Sequence, residues 1–387
     1  MLAGELFDPF KQVMNHLRVK SDPVITDNWI FFLHRKWSFL VALACLIFIA
    51  CRPVLLESPI ACLGPSEETI PKDFLEYYCW LHGTYIVPEW INGRIGIDIP
   101  HRGIGPDLPT TTKKYQLQYL YYPFIILVQF FLFRASKYLW KYLEGERLRH
   151  LLSELTTVIV DDATLKKRIN MVADYMTSFL TFHTTYAYRY VLCELFNGIS
   201  LIFQVWLINS ILHNEFLMFG FNAVRFITSL STSSSSGFTS DVASTSIIED
   251  PFTKLFPKMT MCRVEVASPG GNVVMHGALC VMPLNNVAEK IFLFMWFWLL
   301  LIGILTSFGL IYRVVVISSK KMRYIMLRLK LKKSLCPPKK LEYLVRNFSY
   351  GDWFVLSLIQ KNMDCWIFSK LVEELVLKME EMKGKDE

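Results

Sequence analysis

The sequence lacks the short motifs that carry most enzyme chemistry. It contains no glycine-rich phosphate loop followed by Lys-Ser or Lys-Thr, no His-Glu-x-x-His, no Cys-x-x-Cys and no Gly-x-Ser-x-Gly. His82 and His101 stand alone, whereas a metal site needs several ligands at fixed spacing. We therefore predict that this protein is not an enzyme, and that it has no catalytic residue, no metal site and no cofactor.

Charged residues are also scarce. They make up 19% of the 387 residues against 53% hydrophobic residues, a balance more apolar than that of most soluble domains. Charge nearly disappears from four apolar runs, and a helix of about 20 apolar residues can cross a bilayer with all its backbone amides bonded. We therefore predict an all-α membrane protein with four transmembrane helices, at 37–56, 115–138, 191–212 and 291–312.

The distribution of basic residues predicts the orientation. Of the 41 lysines and arginines, 30 fall in 1–37, 134–190 and 313–387, and 11 fall in 52–122 and 213–290. Basic segments tend to face the cytoplasm, so we place both termini there. The net charge of +7 then reflects topology, and we predict no nucleic-acid partner. The first apolar run begins after 36 residues and has no small-residue cleavage site, so we expect it to remain as a span.

The predicted spans divide the rest of the chain into segments. These are an amino-terminal segment 1–36, extracellular loops 57–114 and 213–290, a cytoplasmic helical loop 139–190, and a cytoplasmic carboxy-terminal domain 313–387. Apolar residues at helical spacing between Phe7 and Leu17 fit either an anchor on the inner leaflet or a helix folded into a pore mouth.

Three stretches carry signals of irregular structure. The Ser/Thr-rich residues 228–248 predict a flexible insert within the second extracellular loop. The prolines and glycines of 266–288 predict a loop, and Pro123 predicts a kink in the second span.

Four of the nine cysteines lie in the predicted extracellular loops, namely Cys62, Cys79, Cys262 and Cys280. Disulfides persist on the oxidising side of a membrane, so we expect these four to be bonded. Four cysteines allow three pairings, and spacing alone does not choose among them. In the third span, Asn197 and Gln204 lie two turns apart on one face, where they either bond to neighbouring helices or line a pore.

Short motifs occur in a fixed order along most of the chain. Residues 78–85 read Tyr-Cys-Trp-Leu-His-Gly-Thr-Tyr, and residues 278–285 read Ala-Leu-Cys-Val-Met-Pro-Leu-Asn. These motifs, and shorter ones at 58–60, 139–145, 193–197, 215–220, 289–298 and 351–364, resemble the innexins, which form invertebrate gap junctions. The pannexins are similar more distantly. Two cysteines in each outside loop make the resemblance specific, since connexins carry three.

The resemblance implies a channel subunit of the plasma membrane at cell–cell junctions. Six or eight copies would surround a wide pore that passes ions and small molecules between adjacent cells, with the ring docked to one on the neighbouring cell. Other innexins and membrane lipid are the further partners it implies. It also implies disulfides between Cys62 and Cys280 and between Cys79 and Cys262.

The resemblance further suggests residues for two roles. The amino-terminal helix would form the constriction, with Met1, Leu2, Leu6, Phe7 and Phe10 lining the pore. The polar pattern of the third span adds Asn197 and Gln204 as further pore-lining candidates. Docking would involve the outside loops around Trp80, His82, Gly83, Lys258 and Arg263.

Two stretches depart from the family pattern. Residues 119–123 read Tyr-Leu-Tyr-Tyr-Pro where innexins usually carry Tyr-Tyr-Gln-Trp before the proline, and 228–248 replaces a charged segment in a docking loop. These departures motivate a second hypothesis, a non-junctional hemichannel or a modifier subunit of other innexins. A third hypothesis is a four-span adhesion or scaffold protein that docks without conducting.

Overall fold

The computed structural model describes most of the chain after the amino-terminal segment. The described residues are 24–25, 28–50, 58–65, 70–91, 93, 95–106, 111–145, 147–152, 162–235, 250–267, 270–330 and 338–386. Two compact units divide the chain. We call Leu33–Ala135 with Asn197–Thr306 the loop unit, and Met1–Phe32 with Ser136–Phe196 and Ser307–Glu387 the carboxy-terminal unit. The predicted helix between Phe7 and Leu17 lies outside the described residues.

Among the described residues, three helices are long and apolar enough to cross a membrane. They are α1 (Trp29–Ala50), α6 (His183–Ile211) and α9 (Pro283–Ser318), which contain or overlap the first, third and fourth predicted spans. Helix α1 includes a π-helical segment at Leu33–Ser38. The prediction of a mostly helical chain with membrane-spanning apolar helices is confirmed for these three elements.

The second predicted span begins later than the sequence suggested. Strand β3 (Lys114–Gln116) and a 3₁₀ turn (Gln118–Leu120) precede α3 (Tyr122–Glu144). Residues 115 and 116 are extended because β3 pairs with β2 (Thr84–Ile86), which the local apolar composition does not reveal. Pro123 is therefore the second residue of α3. The predicted kink is wrong because a proline in the first turn removes no helical hydrogen bond.

An antiparallel sheet makes the all-α prediction wrong in one respect. Five strands lie in the order β1-β5-β4-β2-β3, and the three not yet named are β1 (Ala61–Leu63), β4 (Met259–Ala267) and β5 (Val273–Val281). Strands β1 to β3 come from the region of the first predicted loop, and β4 and β5 come from the second. The sheet therefore unites the two loops, with α2 (Lys72–His82) between β1 and β2 in sequence.

The predicted loop at 266–288 is mostly regular structure. Strand β5 pairs with β4 over nine residues, from Val273 opposite Ala267 to Val281 opposite Met259. Of the residues that suggested a loop, Gly270 and Gly271 lie in the hairpin connection, where Gly271 has a φ of 82°, whereas His276 lies within β5 and Pro283 is the first residue of α9. Backbone pairing with β4 thus overrides the irregular composition on the carboxyl side of that turn, because ladder hydrogen bonds do not depend on side-chain type.

The Ser/Thr-rich stretch is helical where it is described. Helix α7 (Phe216–Ser235) continues through its first eight residues, contrary to the predicted flexible insert. The Thr228 hydroxyl donates to the carbonyls of Val224 and Arg225, and Ser231 donates to the Thr228 carbonyl. These bonds to the preceding turn satisfy the hydroxyls within the helix. Residues 236–249 lie outside the described residues, and α8 (Pro251–Leu255) follows them.

The carboxy-terminal unit is helical in its described residues. Its shorter helices are α4 (Arg147–Leu152), α5 (Asp162–Ser178), α10 (Lys320–Lys330), α11 (Pro338–Asn347), α12 (Tyr350–Asn362) and α13 (Cys365–Asp386). They bury one apolar core that includes Leu341, Phe368 and Leu371. Ser349 begins α12 with a reciprocal capping box to Asp352, which satisfies amide groups that the first helical turn leaves unpaired.

We predict that Gly351→Ala destabilises the carboxy-terminal unit. A Cβ atom at Gly351 on α12 would lie 2.2 Å from the backbone nitrogen of Thr184 on α6, so one of the two backbones must move. We expect a loss of about 3 kcal/mol in the free energy of unfolding, although alanine alone would favour the helix. Thermal unfolding of the purified protein, followed by tryptophan fluorescence, measures this change.

The matched control is Gly277→Ala on β5, where a Cβ would meet no atom within 4 Å. Equal melting temperatures for the two variants would contradict the close approach of α12 and α6.

Candidate functional site

The four cysteines of the predicted extracellular loops form two disulfides in the loop unit. Cys62 on β1 is bonded to Cys280 on β5, and these two residues are also direct partners in the strand register. Cys79 on α2 is bonded to Cys262 on β4. These are the pairs that the family resemblance implied.

The two disulfides are close neighbours in a buried setting. The sulfur atoms of Cys62, Cys79 and Cys280 lie within 4.8 Å of one another. All four bonded cysteines are buried, with at most 7% of their surface exposed. A metal is bound by thiolates, and each of these sulfurs is already part of a disulfide. The cluster is therefore not a metal site. Its role is to join α2 and the sheet.

The stretch 119–122, which departs from the family pattern, lies around the start of α3. The Tyr119 hydroxyl donates to the carbonyl of Trp80 at 2.9 Å, and the two rings lie with their centroids 4.4 Å apart. Tyr122 is fully buried, and its ring lies 5.1 Å from that of Phe292 on α9. Tyr122, which stands in place of the family tryptophan, is thus accommodated in the core at the start of α3, whereas Tyr121, in place of the glutamine, is 52% exposed.

The residues predicted for docking occupy different settings. His82, Lys258 and Arg263 are exposed, whereas Trp80 is partly buried. His82 stacks on Tyr78, and Lys258 forms an ion pair with Glu289 at 3.2 Å. Gly83 is buried and has a φ of 91°, which ends α2 and favours glycine. Its place in the turn argues for a backbone role and against direct docking contacts.

The residues predicted to line a pore divide into two groups. Met1, Leu2, Leu6, Phe7 and Phe10 lie outside the described residues. Asn197 and Gln204 on α6 are buried within the chain, and the Gln204 amide nitrogen donates to the Ser200 hydroxyl at 3.3 Å. Their burial favours the other role that the sequence allowed, which is hydrogen bonding inside the helical packing. Pore lining by these two residues stays a prediction.

A buried ion pair joins α6 and α9 in the carboxy-terminal unit. The Arg313 guanidinium donates to both carboxylate oxygens of Glu194, at 2.6 and 2.7 Å. The same guanidinium lies over the rings of Tyr190 and Phe354. In the sequence, both charged residues lie at the edges of apolar runs. Their pairing was not predicted, because residues 119 positions apart carry no local signal of a contact.

A smaller polar contact joins α1 and α9 in the loop unit. His34 Nε2 lies 2.7 Å from the Thr306 hydroxyl, and both side chains are buried. Nearby on the same helices, the Trp298 indole nitrogen donates to the Ser38 hydroxyl. His34 and Ser38 belong to the π-helical segment of α1, a local geometry that sequence analysis did not predict.

The chain matches known proteins along nearly its whole length. The family model described as Innexin matches residues 27–379. Innexin inx2 of Schistocerca americana is 33% identical over 376 residues, covering 97% of this chain and 99% of that protein. Innexin shaking-B of Drosophila melanogaster is 33% identical over 371 residues, covering 96% and 94% of the two chains. Innexin inx2 of Drosophila melanogaster is 32% identical over 375 residues, covering 97% and 96%.

We predict that Cys62→Ser and Cys280→Ser each destabilise the loop unit. Loss of a native disulfide that closes a long loop costs about 2–5 kcal/mol, and this bond joins residues separated by 218 positions. We expect lower surface expression and a lower melting temperature. Cys365→Ser is the control, because Cys365 lies outside both disulfides. Unchanged expression and melting in both loop variants would be incompatible with this role.

We predict that Glu194→Gln destabilises the chain more than the double variant Glu194→Gln with Arg313→Gln. The single variant leaves a buried guanidinium without its counter-charge, at a cost of about 3–5 kcal/mol. The double variant removes both charges, so its loss should be smaller. Melting temperatures of the two variants test this order. A single variant as stable as the wild type would show that the pair contributes nothing.

Proposed function

This chain belongs to the innexin family, and we propose that it is a subunit of an oligomeric gap-junction channel that passes ions and small molecules between adjacent cells. Innexins form gap-junction channels. The observation that carries the proposal for this chain is the disulfide-linked sheet, which combines segments from both predicted extracellular loops.

A docking surface built from two loops must keep the loops in a fixed relation. The two disulfides connect β1 to β5 and α2 to β4, so neither loop can move as a separate segment. The long β4–β5 hairpin also carries the exposed Arg263. A preorganised rim of this kind lowers the entropy cost of binding an opposing ring, which supports head-to-head docking.

An exposed apolar face on α2 supports contact between copies of the chain. Phe74, Tyr77 and Leu81 are 52%, 72% and 65% exposed. Their spacing places them on one side of the helix. Apolar side chains grouped on an exposed face mark surfaces that bind another protein. In a ring, this face of α2 would be covered by the neighbouring subunit.

We propose four spans with both termini in the cytoplasm of a plasma-membrane protein. Helices α1, α6 and α9 have the required length and apolar composition. Helix α3 (Tyr122–Glu144) has 23 residues, and its basic residues lie in the half that starts at Arg134. Basic side chains at a helix end can extend to the membrane surface, so α3 can serve as the remaining span.

The proposed pore is wide and weakly selective. Ions that stay hydrated in a wide pore are filtered by its diameter and by the charge of its lining. Because Asn197 and Gln204 are buried, we assign the constriction to the amino-terminal residues, including Met1, Leu2 and Leu6. The copy number is six or eight by family analogy, and other innexins are possible ring partners.

A second candidate function is a hemichannel that does not dock, or a subunit that modifies other innexins. The observation that favours it is the Ser/Thr-rich sequence from 228 to 248, which occupies part of a loop used for docking in the family. This candidate predicts currents in single cells and none between cells.

Dual whole-cell voltage clamp on paired, communication-deficient cells that express only this chain tests the proposal. We expect a junctional current in wild-type pairs and in Cys365→Ser pairs, and a loss of at least tenfold in Cys62→Ser pairs. Absence of junctional current with wild-type protein at the surface would contradict a homomeric gap junction. Single-cell currents would then favour the hemichannel, and dye-impermeable contact plaques would favour an adhesion protein.

A further inference from the structure

A cavity of about 340 Å³ lies within the carboxy-terminal unit. Helices α4, α5, α6 and α12 contribute to its walls, which are mainly apolar and include Leu148, Leu151, Phe179, Phe182 and Val355. Phe179 and Phe182 are 48% and 76% exposed, so the cavity is open on the side of these rings. Its volume is within the range of cavities that bind small molecules.

The first polar group of this cavity is His183, at the start of α6. Its side chain is 94% buried, and its Nδ1 atom lies 2.9 Å from an oxygen of Asp352. Its Nε2 atom is also buried and has no hydrogen-bond partner among the described residues. A buried polar atom without a partner is unfavourable, so a ligand that bonds to it gains specificity.

Asp352 determines which nitrogen of His183 remains available. Burial by itself would raise the pKa of the Asp352 carboxyl, but hydrogen bonds from His183 and Ser349 outweigh burial and hold that pKa below its ordinary value. Asp352 is therefore an ionised acceptor at neutral pH. An ionised carboxylate accepts a hydrogen bond from Nδ1–H, so Nε2 is the ring nitrogen that can accept a hydrogen bond from a ligand.

The second polar group is Arg147, at the start of α4. Its side chain is exposed and contributes a guanidinium to the cavity lining. A guanidinium binds carboxylates with two parallel hydrogen bonds. The lining thus combines aromatic and aliphatic side chains, which include Tyr175 and Tyr186 with their hydroxyls, with one cationic side chain and one buried imidazole nitrogen.

We propose that this cavity binds a small amphiphilic carboxylic acid, with its hydrocarbon body against the apolar walls and its carboxyl group between Arg147 and His183 Nε2. The carboxyl group donates its O–H to Nε2, while the Nδ1–H of His183 stays bonded to Asp352. This site is independent of the proposed channel function, since every contact lies within the carboxy-terminal unit.

Fluorine NMR of octanoate labelled with a terminal trifluoromethyl group tests the proposal. The full chain is reconstituted in lipid nanodiscs, and empty nanodiscs of the same lipid measure partitioning of the probe. We expect saturable binding above that background, and affinity at least tenfold lower in His183→Asn. Asparagine can still donate an amide N–H toward Asp352 but has no group at the position of Nε2.

Three further variants separate recognition from misfolding. Arg147→Gln should weaken binding several-fold, and Leu151→Trp should abolish it by filling the cavity from its partly exposed wall. Lys167→Gln removes an exposed charge outside the cavity lining and should leave affinity unchanged. If His183→Asn fails to melt and elute like the wild type, Arg147→Gln and Leu151→Trp decide the question.

The proposal is overturned by any of three results. One is probe binding no greater than in empty nanodiscs. Another is equal affinity in the wild type and in folded cavity variants. The last is equally tight binding of the uncharged alcohol with the same label, which would mean that the carboxylate is not recognised.

Discussion

The two disulfides of the loop unit are the constraint on which the rest of that unit depends. They join residues separated by 218 and 183 positions, and each closure restricts the unfolded chain by roughly 4–5 kcal/mol in the entropy model. The sheet they stabilise also determines where the neighbouring helices begin. Strand β3 leads through one 3₁₀ turn into α3, and β5 leads through Met282 into α9. The connection between the loops and the helices is therefore short and well defined.

Polar contacts among the apolar helices follow from the cost of burying polar groups. Glu194 and Arg313 neutralise each other, and His34 and Thr306 share a hydrogen bond. Lipid would offer these polar groups no hydrogen-bond partner. Each helix that carries a polar group therefore needs a second helix that supplies a partner for it. Such pairs specify the register between helices more precisely than apolar contacts can. The His183–Asp352 pair differs because one nitrogen of the imidazole has no hydrogen-bond partner within the described part of the chain, and this leaves a polar group for a ligand.

Composition predicted the fold well where an element is long and uniform. The runs at 37–56, 191–212 and 291–312 each correspond to an apolar helix, because a continuous apolar stretch has few other stable environments. Prediction failed where a short segment depends on a distant partner. Residues 115–116 are extended because they pair with β2. Residues 273–281 form a strand because they pair with β4. Thr228 and Ser231 lie in a helix in which their hydroxyls bond to the preceding turn, and composition alone does not reveal this.

By itself, the sequence determined the apolar helices, the four cysteines of the predicted extracellular loops and the motifs of the innexin family. Each of these is a property of residue type and local order. Spacing allows three arrangements of the cysteines; the family resemblance implied one of them, and the tertiary structure confirmed it. It also brought Glu194 to Arg313 and placed His183 and Arg147 around one cavity. Contacts between residues far apart in the chain depend on how the elements pack, and neither composition nor periodicity contains that information.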